Sequence, residues 1–350
     1  MKIHRMQLPR EVIVGNEVLS LIGDICKRLG FFKSAFVVTG PKTYRVAGRT
    51  VVDLLCSSGI DVDHIMVSSS TLWDVKAVEE KIKELTPQIV LGVGGGTKID
   101  VAKLSSARQS VPFISVPTTA SHDGISSPVV SLKGLGKPYS MIAQAPMAIV
   151  ADTSVIIQSE YRLTASGCGD VVSKFTAIRD WKLAHDVKDD YYGEYAASLA
   201  LMSARLVMRN ADIIKPGKEE GLRVLLEALI SCGVAMSIAG GSRPCSGAEH
   251  LFSHALDLVS AKPAMHGEQC GVGAIMMAYL HKMDWKQIKG TLQEVGAPTT
   301  ARELEIEPES IIQALVQAGT IRPERYTILE ENRLDYNSAK KLAEATGVID

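Results

Sequence analysis

The sequence predicts an α/β domain with a mostly parallel, doubly wound sheet, followed by an all-helical domain. Three observations carry that prediction. The first half alternates short β-branched runs with helical stretches, from EVIVG (11–15) to MAIVAD (147–152). The second half, from about Tyr161 onward, has helical periodicity and little strand pattern. The chain has 350 residues, too many for one ordinary core, so two domains are expected. The boundary is placed between Ser154 and Glu160, giving domains 1–157 and 158–350.

Each element follows in order. EVIVG reads as a strand and VLSLIGDICKRLG (18–30) as a helix. SAFVVTG (34–40) is a strand ending in glycine, followed by a helix over 44–58, a strand at DHIMVSS (63–69) and a helix over 75–85. QIVLGVGGG (88–96) is a buried strand running into glycines, and VPFISVPTTA (111–120) and MAIVAD complete the parallel set. SPVVSLKGLGKPYSM (127–141) suits a small inserted hairpin. In the second half, 192–212, 220–240, 266–284 and 334–348 have helical spacing.

Composition excludes several classes. Hydrophobic residues make up 46% and charged residues 22%, so a packed core is available and disorder is not expected. The net charge of −1 argues against a nucleic-acid or membrane-surface binder, which needs a basic excess. Six scattered cysteines without a C-x-x-C pair suit a reduced compartment. No apolar h-region opens MKIHRMQLPREVIVG, and no run resembles a membrane span, so a cytoplasmic location is expected.

Three segments hold chemistry. In IVLGVGGGTKIDVAKLSSA (89–107), a buried strand ends in Gly94, Gly95 and Gly96, and Thr97 begins a helix. Glycines let backbone approach a ligand, and a helix N-terminus attracts phosphate. A tight turn without ligand makes the same pattern, and neither G-x-G-x-x-G nor a P-loop is present. The loop VPTTASHDGISSP (116–128) follows the next strand, where adjacent strand ends form a ligand crevice; an ordinary polar loop has the same look.

The third segment is SGAEHLFSHALDLVSAKPAMHGEQCG (246–271). It gathers His250, His254 and His266, three of eight histidines, within seventeen residues. His250 and His254 share a helix face, and His266 starts another helix. Such imidazoles can converge on a metal, although H-x-x-x-H pairs also occur in cores and on surfaces. Asp170 in RLTASGCGDVVSKFTA (162–177) follows a Gly-rich turn at the start of an apolar helix. It suits an N-cap or, with His250 and His266, a two-His, one-carboxylate metal set with an open position. Such ligands suit Zn²⁺, with Fe²⁺ compatible.

Together, GGGT-x-x-D-x-A-K, PTTASHDG, an isolated GD, EHxxxHxLD and MHGExxxxG resemble the superfamily of iron-containing alcohol dehydrogenases, glycerol dehydrogenases and dehydroquinate synthase. SRPCSGAEH and PTTASHDGISSP resemble in particular the archaeal sn-glycerol-1-phosphate dehydrogenases, over essentially the whole chain. The resemblance implies a dehydroquinate synthase-like fold with a Rossmann-like first domain. It implies metal ligands Asp170, His250 and His266, with one Zn²⁺ per subunit. Asp123, Asp170 and His254 match substrate contacts. Gly94, Gly95, Gly96, Thr97, Lys98, Ile99 and Asp100 match the pyrophosphate turn, and Thr118, Thr119, Ala120, Ser121 and Ser127 the nicotinamide side. The implied reaction is NAD(P)H-linked, reversible reduction of dihydroxyacetone phosphate to sn-glycerol 1-phosphate, a precursor of ether-lipid backbones. Asp123 or His254 would relay the proton.

Two details qualify that picture. SAFVVTG ends in Gly40-Pro41, where NAD-specific relatives tend to carry an acid, so NADPH is expected alongside NADH, with Lys42 a candidate phosphate partner. Ser242, Arg243, Ser246 and Lys174 are candidates for the substrate phosphate. Near the histidines, only Arg243 and Lys262 are visible as basic residues, which disfavours lyase chemistry on a highly charged substrate. A glycerol or other polyol dehydrogenase is the alternative, and a homo-oligomer without membrane insertion is expected.

Overall fold

The computed structural model describes residues 4, 6–132 and 139–350. Its strands are β1 (Glu11–Gly15), β2 (Ser34–Thr39), β3 (Asp61–Met66), β4 (Ile89–Gly94), β5 (Phe113–Pro117), β6 (Val129–Leu132), β7 (Tyr139–Ile142) and β8 (Ala148–Asp152). Six of them form one parallel sheet in the order β1-β8-β5-β4-β2-β3. β6 and β7 form the expected antiparallel pair, whose connection lies outside the described residues.

Helices α1 (Ile22–Arg28), α2 (Pro41–Thr43), α3 (Arg49–Ser57), α4 (Leu72–Leu85) and α5 (Gly96–Arg108) belong to the sheet half. α4 starts three residues earlier than its periodicity suggests, because Thr71 and Asp74 form a reciprocal capping box. β3 lies at the sheet edge and pairs with β2 from Asp61 onward; its alternating acids hid its start. After β8 come α6 (Thr153–Ile156), α7 (Tyr161–Val172), α8 (Lys174–Lys188), α9 (Glu194–Arg209), α10 (Glu219–Ala239), α11 (Ala248–Val259), α12 (His266–Leu280), α13 (Trp285–Glu294), α14 (Pro308–Ile321), α15 (Ile328–Asn332) and α16 (Tyr336–Ala345).

The central strands are buried on both faces, and their period of two divides the core. Ile89, Leu91 and Val93 of β4 join Ile22, Ile25, Val51 and Leu55 on one face. Val90 belongs to a second cluster that runs through Ile99, Ile125 and Val171 to Trp181 and Leu225 of the helical half. Each such side chain contributes about 1.5–3 kcal/mol of transfer free energy. α10 is long and apolar enough to cross a bilayer, contrary to the sequence expectation that no such run exists. It is mostly buried, packs on α9 and α7, and is a core helix here.

The local reading around Asp170 needs correction. SGCGD is no turn: it lies inside α7, and Asp170 is near the C-terminal end of that helix rather than at a helix start. Its glycines serve close packing. A Cβ on Gly167 would lie 2.0 Å from the Ala120 carbonyl oxygen, and one on Gly169 would lie 2.3 Å from the Gly267 carbonyl oxygen. α7 therefore touches both the loop after β5 and the start of α12, backbone to backbone.

Candidate metal centre and cofactor cleft

β4 and β5 are parallel neighbours, so the loops leaving their C-terminal ends share one crevice. That crevice opens into a cleft of about 1510 Å³ between the sheet and the helices. Gly95, Gly96, Thr97, Lys98 and Asp100 line it from the glycine turn. Thr118, Thr119, Ser121, Asp123 and Ser127 line it from the next loop, and His250, His254 and His266 from the helical side.

Gly95 is the extended N-cap of α5, so the first-turn N–H groups of Gly96 and Thr97 have no intrahelical partner. A Cβ on Gly96 would lie 1.8 Å from His122 Nε2, so any other residue here would have to displace that ring. His122 Nδ1 accepts from the Gly124 N–H at 2.9 Å, which leaves Nε2 as the protonated nitrogen of the neutral ring. Ile99 and Ala120 are fully buried, so their side chains face the core and only their backbone can serve a cofactor. Asp100 is engaged by the Ser131 N–H at 3.0 Å and by Lys103 Nζ at 3.3 Å. Lys103 also donates to the Gly124 and Val129 carbonyls, tying the glycine-turn helix to the opposite loop.

Lys98 projects across the cleft. Its Nζ donates to the Ser68 carbonyl at 3.0 Å, and a Cβ on Gly40 would lie 2.5 Å from its Cε. A cation thus stands beside the end of β2, and burial lowers its pKa below the ordinary lysine value. Lys42 also lines the cleft, but it is highly exposed and 3.7 Å from Glu160.

Asp170, His250, His266 and Cys270 form a group whose potential ligand atoms lie within 4.8 Å of one another. α7 supplies Asp170, α11 His250, and the first turn of α12 His266. Asp170 is fully buried. Its Oδ1 accepts from Lys174 Nζ at 2.6 Å and stands 3.6 Å from His250 Nε2; its Oδ2 accepts from the Asp123 N–H at 2.8 Å. Burial opposes its ionisation, but Lys174, His266 and His250 outweigh that and hold the carboxyl well below the usual carboxylate range. Burial also opposes the Lys174 ammonium, yet Asp123 and Asp170 hold its pKa well above the ordinary lysine value.

The imidazoles are positioned from behind. His250 Nδ1 lies 2.8 Å from Glu249 Oε1, and Glu249 is itself held by the Gly247 N–H and Thr176 Oγ1. His266 Nδ1 lies 3.2 Å from Ser253 Oγ, which donates to Gln269 Oε1 at 2.8 Å. Arg162 grips Glu268 with two hydrogen bonds, and Glu268 accepts from the Met265 N–H at the start of α12. Burial, then the Lys174 ammonium and the mutual opposition of the two rings to protonation, keeps His250 well below the ordinary histidine range; burial likewise lowers His266. Both are therefore neutral at pH 7 with lone pairs to offer. This donor set fits a divalent metal: two imidazoles, one carboxylate and a backing acceptor on His250. Burial pushes the Cys270 thiol well above its ordinary value, so without a metal it stands as a neutral thiol beside the other three donors.

His254 lies one turn beyond His250, and its ring centroid is 6.0 Å from that of His266. Its Nδ1 is buried without a hydrogen-bond partner among the described residues. Burial, then His266 and His250, keeps it well below the ordinary histidine range.

Two expected phosphate partners point elsewhere. Arg243 donates to the Tyr326 carbonyl at 2.9 Å and pairs with Asp190 at 2.6 Å, and Lys174 is consumed by two aspartates. The sequence reading missed Glu249, Cys270, Lys103, Arg162, Arg322 and Arg325. Cys270 had a signal, since it stands one helical turn after His266. Basic residues near the histidines are thus more numerous than the segment itself displays.

The family model for iron-containing alcohol dehydrogenases matches residues 13–159. A glycerol-1-phosphate dehydrogenase (NAD(P)+) of Pyrococcus furiosus is 54% identical over 347 residues, covering 99% of this chain and 100% of that one. Its namesake in Thermococcus kodakarensis is 55% identical over 349 residues, covering 99% of each. The one in Methanosarcina mazei is 51% identical, covering 98% of this chain and 96% of that one. In structure, the chain is similar to glycerol dehydrogenase from Schizosaccharomyces pombe, with TM-score 0.77 and 20% identity, covering 100% of this chain and 94% of that one. A 1,3-propanediol oxidoreductase gives TM-score 0.78 at 16% identity, covering 99% and 100%. These two share the fold; the full-length relatives carry the assignment, and the chain belongs to the glycerol-1-phosphate dehydrogenase (NAD(P)+) family.

Proposed function

We propose that this chain catalyses NAD(P)H-linked, reversible reduction of dihydroxyacetone phosphate to sn-glycerol 1-phosphate, at a divalent metal held by Asp170, His250 and His266. One observation carries the reading. In a chain of this family, a glycine turn at a helix N-terminus and a buried carboxylate with two neutral imidazoles face a single cleft. On this reading residues 1–157 bind the cofactor and 158–350 the metal and substrate. Zn²⁺ suits the donors best, one per subunit, and Fe²⁺ is compatible. The product serves as a glycerol phosphate backbone for ether lipids.

A bound divalent cation supplies Lewis-acid stabilisation of negative charge on the substrate oxygen. The nicotinamide supplies the hydride. The chain's own residues do the rest. Gly96 and Thr97 present N–H groups to the cofactor pyrophosphate, and Thr118, Thr119, Ser121 and Ser127 line the nicotinamide side. Asp123 and His254 face the cleft, where one or the other, directly or through a water, relays a proton to the reduced oxygen. Lys174 fixes Asp123 at 2.9 Å, and the Asp123 N–H fixes Asp170, so base and ligand move as one unit. Lys98 at the end of β2 meets the 2′-phosphate of NADPH, and the absence of an acid there admits both cofactors.

Six free cysteines, five of them buried, favour a cytoplasmic setting. Tyr195, Met202 and Leu206 are exposed along α9, an apolar face suited to a second copy of the chain. The test follows NADPH and NADH oxidation with dihydroxyacetone phosphate and with dihydroxyacetone, and determines product configuration. Turnover of the phosphate ester to the sn-1 product is expected. Turnover mainly of dihydroxyacetone would move the chain to the polyol dehydrogenases.

A further inference from the structure

Arg322 follows the last residue of α14 and lines the same cleft as His254, Ser242 and Ser246. Arg325 is three residues on. It donates from Nη1 to the Ser246 carbonyl at 2.5 Å and from Nη2 to Ser242 Oγ at 2.8 Å. Arg243, on the loop between these serines, donates back to the Tyr326 carbonyl. The segment 322–326 is therefore clamped onto the loop 242–246, which leads directly into the histidine helix α11.

The charges there do not balance. Arg243 has Asp190 as its counter-ion, but among the described residues neither Arg322 nor Arg325 forms an ion pair. Burial lowers both guanidiniums; Arg325 is pushed down to about 9, with Arg322 and Arg243 adding to the effect. Both also act on His254, so they lie near the substrate end of the cleft. Glu324 acts on both guanidiniums and Glu249 on Arg325, but without a direct ion pair, and cations desolvated in this way are costly in the free protein. A dianion entering the cleft beside Arg322 lowers that cost and gains charge-assisted hydrogen bonds. Ser242 Oγ accepts from Arg325, so its own hydrogen is free to donate. The pyrophosphate turn at Gly96 belongs to β4 and α5, a separate part of the lining.

We infer that Arg322 and the hydroxyls of Ser242 and Ser246 form the subsite for the phosphate group of the triose substrate, with Arg325 as the positioning residue that holds this set together. The inference rests on the reaction proposed above. It explains how the site prefers a phosphorylated triose to a free polyol: the metal-facing residues treat both alike, and only the arginine end reads the phosphate. Arg322 comes 56 positions after His266 in the chain, which is why the histidine segment alone gave no sign of it.

The experiment uses the metal-loaded enzyme with saturating NADPH. It compares kcat/KM for dihydroxyacetone phosphate with that for dihydroxyacetone in wild type, Arg322→Ala, Arg322→Lys and Ser242→Ala. It also measures the rise in Tm caused by inorganic phosphate. Arg322→Ala is expected to lower the ratio of the two kcat/KM values roughly 100-fold, mainly through KM, because it removes a half-buried charged partner of the phosphate. Arg322→Lys should recover part of the loss. Ser242→Ala should lower the ratio about 5–10-fold, as for one hydrogen bond. The phosphate-induced rise in Tm should vanish in Arg322→Ala. An unchanged ratio and an unchanged phosphate response in Arg322→Ala overturn the inference and leave the reaction standing. Absence of wild-type turnover of dihydroxyacetone phosphate, with a phosphate response that Arg322→Ala abolishes, overturns the reaction and supports the anion site.

Discussion

Gly169→Ala tests whether helix packing sets the metal site. The added Cβ would lie 2.3 Å from the Gly267 carbonyl oxygen, 3.1 Å from its carbon and 3.6 Å from Gly271 Cα. Real contacts of this kind are not shorter than about 3 Å, so α7 and α12 must part by roughly 0.7 Å or more. Asp170 is the next residue on α7, and His266 precedes Gly267 on α12. The shift therefore falls almost entirely on the spacing of two ligands. Metal–ligand distances tolerate only about 0.2 Å, and displacements near 1 Å cost on the order of 100-fold in function. Stability changes less, because alanine contributes about 1 kcal/mol of helix propensity against about 1–3 kcal/mol of overpacking. Metal content after dialysis against a weak chelator, beside calorimetric Tm, separates the two effects. The expected result is a folded variant whose metal affinity and turnover are down at least roughly 100-fold. Gly290→Ala in α13 is the control, since nothing lies within 4 Å of its Cβ; it should add about 0.5–1 kcal/mol. A Gly169→Ala enzyme with wild-type metal content and turnover would refute the packing argument.

Other outcomes follow from the same geometry. Glu249→Gln weakens the acceptor behind His250 and should lower metal affinity about 10–100-fold, read by chelator competition; wild-type affinity would show that Glu249 serves only the fold. Lys174→Met strands Asp123 and Asp170 without their buried cation and should cost about 3–5 kcal/mol in denaturant unfolding of the metal-free protein. A loss below about 1 kcal/mol would contradict the pairing described here. Lys98→Ala should raise KM for NADPH about tenfold or more while changing that for NADH far less. Equal effects on both cofactors would place Lys98 at the pyrophosphate instead.

Local signals were legible where chemistry and periodicity coincide in one stretch. The apolar run of β4 ending in glycines displayed both a buried strand and the turn after it. The spacing of His250 and His254 gave a shared helix face. The environment of Asp170 was not legible. Glycine lowers helix propensity, so SGCGD reads as a turn, whereas its glycines answer to Ala120 and Gly267, partners distant in sequence. Long-range pairing hid the rest. Lys174 is a surface residue by composition, and only the fold places it between two aspartates. Arg243 was one of four candidates for the substrate phosphate because it precedes α11, but Asp190 and Tyr326 claim it. Arg322 arrives from the end of α14, with no motif to announce it.

The most direct test of the central claim is metal titration of the chelated protein, followed by NADPH oxidation with dihydroxyacetone phosphate. The account predicts negligible turnover without metal and recovery that saturates at one Zn²⁺ per chain, with His266→Ala failing to recover. Full turnover by thoroughly chelated protein, or undiminished recovery in His266→Ala, would contradict it.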